Sequence, residues 1–297
     1  MSCLLLLMIG TVLGQEMKKI SNIDYVGNGN PRQMLDLYFP EKFKKPLPVV
    51  MWIHGGAWRK GSKENAGMAL QARSLGECAV VSVGYRLTQE AQWPAQIHDC
   101  KAALRWVRAN AEKHGLDADR IAVWGASAGG HLVAMLGTTQ NEEYYDGKLG
   151  PHVGTKTDVK CVVNYFGPTD FVKMNSQGSA MNHDAPDSPE GQLLGGKVSE
   201  LTPKAKKASP GYQVTKDDAP ILTVHGTKDR LVPYEQGKVF DEVLDKAGVD
   251  SILLTVEGGG HGQGFGNEVR KTVREFLSQQ LFGVEADLKD RTVKEGE

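Results

Sequence analysis

Six short apolar runs, each rich in Val or Ile, constrain this chain more than any other feature. They are residues 47–53 (LPVVMWI), 79–85 (AVVSVGY), 120–126 (RIAVWGA), 159–166 (VKCVVNYF), 219–225 (APILTVH) and 250–256 (DSILLTV). Runs this short with apolar side chains at successive positions suit strands buried on both faces, as in parallel sheets. Between them, residues 93–114 carry apolar residues at helical spacing, opening at Pro94 and closing before Gly115, and residues 234–247 and 266–281 behave alike. The alternation predicts an α/β fold: a doubly wound, mostly parallel central sheet with helices on both faces. Residues 34–39 (MLDLYF) alternate instead, which predicts an antiparallel strand at the N-terminal edge of that sheet.

A chain of 297 residues holds one sizeable core, and residues 15–283 read as a single domain. Within it, residues 171–218 have weak periodicity and many Gly, Pro, Ser and Lys residues, which predicts a lid-like excursion between two strands. Residues 284–297 (VEADLKDRTVKEGE) are charged and read as a flexible, frayed end. The apolar run Cys3 to Leu13 is too short to span a bilayer, and Val12 and Gly14 before Gln15 resemble a cleavage site. Residues 1–14 are therefore expected to be a signal peptide, and the protein to be secreted or periplasmic without stable membrane insertion. The remaining Cys78, Cys100 and Cys161 lack metal-ligand spacing and sit in apolar stretches, so at most one disulfide is expected.

With 40% hydrophobic residues, 24% charged residues and a net charge of −1, no basic face calls for nucleic acid or an anionic membrane. The expected partner is small and neutral.

Chemistry concentrates where the apolar runs end. After the run 120–126, Gly125-Ala-Ser127-Ala-Gly129 opens a helical stretch, the context that a G-x-S-x-G nucleophile elbow requires. After 47–53 comes His54-Gly55-Gly56-Ala57, whose glycines let backbone N–H groups approach a substrate oxygen. The donors expected for an oxyanion hole are the N–H groups of Gly56, Ala57 and Ala128; His54 reads as a structural residue bonding the loop backbone. After 219–225, Asp229 falls on a loop at the carboxyl edge of the sheet, where α/β proteins gather ligand-binding groups. Asp217 and Asp218 precede that strand and belong at the opposite edge, while Glu257 is a rival at the last strand–loop junction. Beyond it, Gly258-Gly-Gly-His261 supplies a flexible loop able to carry an imidazole to Ser127. The chain order Ser127, Asp229, His261 is that of α/β-hydrolases. The other histidines form no H-E-x-x-H pattern, so neither a metal nor an organic cofactor is expected.

Together with HGGAW (54–58), GYRL (84–87), WPAQIHDCKAALRWVRAN (93–110), WGASAGGHL (124–132), FGPTDF (166–171) and HGTKD (225–229), these motifs make the chain resemble hormone-sensitive-lipase-like esterases of the α/β-hydrolase fold. The likeness is strongest to the bacterial feruloyl esterase-like (BD-FAE-like) branch and covers residues 30–282. It implies a serine carboxylesterase in which His261 deprotonates Ser127, Asp229 orients His261, and an acyl-enzyme forms on small acyl or aromatic esters, including feruloyl or acetyl groups on polysaccharide. HGGAW departs from the HGGG of the wider group, and Ala57 beside the oxyanion argues against bulky tertiary-alcohol esters.

Trp58, Asp170 and Phe171 follow strand ends and either line the substrate pocket or serve as core packing and caps. Arg86 and Asp99 are expected to pair and fix the helix 93–114 against the sheet. Two other readings stand beside the esterase: an arylformamidase-type amide hydrolase, which shares HGG-x-W and the triad order, and a hydrolase-fold protein that only binds.

Overall fold

A computed structural model describes residues 17–297 apart from residue 68. Residues 1–14, read above as a signal peptide, lie outside the described residues. Among the described residues nine strands form one sheet: β1 (Met17–Asp24), β2 (Met34–Pro40), β3 (Leu47–Ile53), β4 (Ala79–Val83), β5 (Leu116–Ala126), β6 (Cys161–Tyr165), β7 (Ile221–Gly226), β8 (Ser251–Glu257) and β9 (Arg291–Lys294). Their order is β1-β2-β4-β3-β5-β6-β7-β8-β9. The pairs β1–β2 and β2–β4 are antiparallel, and every other neighbour is parallel.

The helices are α1 (Ala95–Ala109), α2 (Ala111–His114), α3 (Ala128–Thr138), α4 (Glu143–Asp146), α5 (Phe171–Met174), α6 (Pro189–Leu194), α7 (Thr202–Lys207), α8 (Glu235–Ala247) and α9 (Asn267–Phe282). All seven residues of β3 are buried, as are all of β4, β6 and β7, because helices cover both faces of the sheet. Alternate strand positions feed two cores. One holds Met51, Val81 and Val123 beneath α1 and α3; the other holds Val50, Trp52, Trp124 and Val224 beneath α9. The fold class read from the sequence is the one observed. No helix among the described residues is long and apolar enough to cross a membrane. Cys78, Cys100 and Cys161 are all buried.

Both sheet edges differ from expectation. The strand 34–39 is not the edge; β1 pairs outside it, with Ile20 opposite Leu37 and Ile23 opposite Leu35. Its lysines and exposed face hid it from a pattern search, and they suit an edge that must not recruit another strand. Residues 284–297 are not frayed throughout: 291–294 form β9, in parallel register with Leu254–Glu257 of β8. Val293 is buried there, and the Glu268 N–H donates to the Glu297 carbonyl at 2.9 Å, so one apolar side chain and an open strand edge outweigh the charged composition.

The excursion 171–218 carries α5, α6 and α7 in place of a sheet element. It is fastened to the loop after β7: the Ala180 N–H donates to Arg230 O at 2.8 Å, and Ser179 Oγ lies 3.1 Å from Leu231 O.

Candidate active site

Parallel strands end on one side of a sheet, so their following loops converge. Here β3 delivers residues 54–60, β5 delivers Ser127, β6 delivers Phe166, β7 delivers Asp229 and β8 delivers His261. Ser127 sits between β5 and α3 with φ 56° and ψ −122°, a conformation that L residues adopt only under constraint. The constraint is visible at Gly129, where a Cβ would lie 2.1 Å from the Ile53 carbonyl oxygen; only glycine lets α3 start so close to β3.

His261 Nε2 lies 3.0 Å from Ser127 Oγ, and His261 Nδ1 lies 2.7 Å from Asp229 Oδ2. The second Asp229 oxygen, Oδ1, accepts the backbone N–H groups of Leu231 and Val232, each at 2.9 Å. His225 Nε2 points to the Val232 carbonyl at 2.9 Å and lies 3.4 Å from Asp229 Oδ2. Burial alone would raise the Asp229 carboxyl, but hydrogen bonds to His225 and His261 outweigh it and hold the group well below the usual carboxylate range. An ionised Asp229 keeps the proton of the neutral imidazole on Nδ1 and leaves Nε2 free to accept one from Ser127. Of the rival carboxylates, Asp218 caps Thr215 and Glu257 is exposed.

Residues 56–58 all have positive φ: 110° for Gly56 and 56° for both Ala57 and Trp58. The Gly56 carbonyl accepts the N–H groups of Arg59 and Lys60, both at 3.0 Å, and a Cβ on Gly56 would fall 2.2 Å from Lys60 O. Curling the loop this way frees its other face: among the described residues the N–H groups of Gly56, Ala57 and Ala128 make no protein hydrogen bond. Among the described residues six non-glycine residues have positive φ, and four of them (Ala57, Trp58, Ser127 and Phe166) line one cavity, so backbone strain is concentrated there. His54 is buried behind the loop, stacked on Tyr85 at 4.2 Å with Nδ1 2.7 Å from Gly55 O, and burial pushes its pKa down to about 4. It is a neutral prop for the loop.

The cavity measures about 470 Å³ and contains Ser127, His261 and the 55–60 loop. Its walls are largely apolar, from Phe166, Pro168, Met174, Met181, Leu231 and Val232. The Phe166 ring packs 4.5 Å from the His261 ring. A second cavity of equal volume, beside α9 at Trp124 and Arg274, holds none of these groups.

Of the three residues offered for the pocket, only Trp58 lines it, and its ring turns inward against His131 and Phe171. Asp170 and Phe171 do not line it. Asp170 caps α5 by accepting the N–H groups of Val172 and Lys173, and Phe171 is core, packed on Trp58 and His131. For both, the cap-or-core alternative is the one observed, because the turn after β6 brings Phe166 to the cavity and buries the next segment. His183 and Glu190, both in the cavity wall, were missed; they belong to the excursion, where neither motif nor period marks them.

The BD-FAE family model matches residues 35–244. The chain is 34% identical over 237 residues to Esterase LipC and 45% identical over 230 residues to Carboxylesterase NlhH, both of Mycobacterium tuberculosis. These alignments cover 78% and 74% of this chain, but only 57% of LipC and 67% of NlhH. The chain therefore spans little more than half the length of LipC. Among solved structures, a truncated carbohydrate esterase from gut microbiota superposes with a TM-score of 0.83 at 33% identity, covering 89% of this chain and 96% of that one.

Proposed function

Because the chain belongs to the BD-FAE family, we propose that it is a serine carboxylesterase that hydrolyses small acyl or aromatic esters, feruloyl and acetyl groups on polysaccharide among them. The observation that carries this reading is the continuous line Asp229 Oδ2, His261, Ser127 Oγ, with contacts of 2.7 and 3.0 Å, opening into a largely apolar cavity. The sequence likeness to LipC and NlhH and the likeness to a carbohydrate esterase support the ester linkage as the target.

In this reading His261 Nε2 takes the Ser127 hydroxyl proton as Oγ attacks the ester carbonyl. The negative charge that develops on the carbonyl oxygen meets the unpaired N–H groups of Gly56, Ala57 and Ala128, which are fixed before reaction and need no reorganisation. His261 then gives its proton to the departing alcohol, and water, activated by the same imidazole, releases the acid from the acyl-enzyme.

The test compares wild type with Ser127→Ala on p-nitrophenyl acyl esters, methyl ferulate and acetylated xylan. Wild type should turn over at least one of them and Ser127→Ala should not rise above the uncatalysed rate. Equal turnover by the two proteins would refute the reading.

A further inference from the structure

The cavity has one polar wall that the acyl-transfer machinery does not use. Glu190 lies in the first turn of α6 and is only 2% exposed, and its Oε2 lies 2.8 Å from Nδ1 of the equally buried His183. His183 is held in turn, with Nε2 2.7 Å from Ser179 Oγ and 3.1 Å from Leu231 O. Leu231 belongs to the turn that donates to Asp229. The carboxyl group is thus clamped through the excursion to the loop carrying the triad acid. Its second oxygen, Oε1, has no hydrogen-bond partner among the described residues, and Glu190 lines the cavity.

A carboxyl oxygen at a cavity wall with no protein partner is free to accept a hydrogen bond from whatever occupies the cavity. Around it the walls are apolar (Met174, Met181 and Pro189), so they grip a ligand without orienting it. Arg59 and Lys60 line the same cavity and disfavour a cationic ligand, while Glu190 itself disfavours an anionic one. A neutral hydroxyl satisfies both conditions.

We propose that Glu190, positioned by His183, is a specificity residue whose free oxygen accepts a hydrogen bond from a hydroxyl group of the substrate. The protein therefore selects esters that carry a hydroxyl over otherwise identical esters that lack it. This rests on the esterase reading above. The hydroxyl belongs either to the acyl half, as a phenol, or to the alcohol half, as a polyol.

Two matched pairs separate these sources. Methyl ferulate against methyl 3,4-dimethoxycinnamate removes a donor from the acyl half; glyceryl 1-monoacetate against propyl acetate removes donors from the alcohol half. Wild type should favour the hydroxylated member of one pair by about 10-fold or more in kcat/KM, the scale of one hydrogen bond to a charged acceptor. Glu190→Gln keeps the shape and a partner for His183 but can turn an N–H₂ toward the cavity, and it should bring that ratio close to 1. Glu190→Asp, which withdraws the carboxyl by one methylene, should also lower it. A merely structural Glu190 would change both members of a pair alike. An unchanged ratio in both variants, or no preference by wild type in either pair, overturns the proposal while leaving Ser127-dependent turnover intact. Equal turnover by wild type and Ser127→Ala overturns the esterase reading and the proposal with it.

Discussion

Arg86 and Asp99 meet in a two-pronged ion pair, Nη2 donating to Oδ1 at 2.8 Å and Nε to Oδ2 at 2.9 Å. The Arg86 backbone N–H and Gln33 Nε2 also donate to the same carboxylate, at 2.8 and 2.7 Å. This pairing, expected from the sequence, ties the loop after β4 to the first turns of α1. Burial nevertheless leaves the Asp99 pKa above its ordinary value, against the pull of Arg86, so desolvation is the larger effect. The pair fixes a geometry more than it adds stability.

Asp99→Ala should therefore destabilise the protein by about 3 kcal/mol, because a half-buried guanidinium and two further donors lose their partner. Urea unfolding measures this. The double replacement Arg86→Met with Asp99→Leu should cost less than Asp99→Ala alone, and a larger cost would contradict the desolvation argument.

Asp229→Asn should lower kcat on p-nitrophenyl acetate on the order of 10³–10⁴-fold. An amide must choose between offering its oxygen to His261 Nδ1–H and offering it to the Leu231 and Val232 N–H groups. Either choice leaves a donor facing a donor. Steady-state kinetics alongside thermal melting separates the chemical loss from unfolding.

Ala57 holds φ at 56° beside the expected oxyanion position. Glycine relieves a left-handed cost of about 1–2 kcal/mol but loses about 0.5–1 kcal/mol to greater chain freedom when unfolded, so Ala57→Gly should match or slightly exceed wild-type stability. Removing the methyl group should also raise turnover of tert-butyl acetate relative to ethyl acetate. Competition between the two esters reads that ratio directly, and an unchanged value would mean that Ala57 does not limit the alcohol.

Asp241 predicts a pH dependence of stability. Burial first, then the neighbouring Asp290 and Asp245, push its carboxyl up to about 6, against the opposing hydrogen bond from Ser251. A raised folded-state value means that the folded protein holds the proton more tightly than the unfolded chain. The favourable contribution is complete below the ordinary value of 3.8 and is lost as pH rises through about 6. Asp241→Asn should thus stabilise by up to about 3 kcal/mol above about pH 7, with the gain vanishing near pH 4. Chemical denaturation at a series of pH values checks both the size and the window.

The strand cores were legible because a strand buried on both faces leaves a contiguous apolar run: LPVVMWI is β3 residue for residue. Ser127, Asp229 and His261 were legible because each follows such a run and carries a short-range glycine signature. The edges β1 and β9 were not legible, since an edge strand needs few apolar residues and takes its order from the neighbour it pairs with. FGPTDF was read correctly as a strand end, but which of its aromatics faced the cavity depended on the turn at Phe166.

Sequence by itself thus determined the fold class and marked out Ser127, Asp229 and His261, in that chain order, as the candidates for the chemistry, because local pattern and backbone sterics set them. Tertiary structure alone decided the distances between those residues, the strain concentrated at Ala57, Trp58, Ser127 and Phe166, and the clamp of His183 on Glu190. Such features arise only when loops from separate strands and a pattern-free excursion are packed together. The polar wall of the cavity is of this second kind: no spacing in the chain announces a carboxyl group whose environment is assembled from residues 179, 183 and 231.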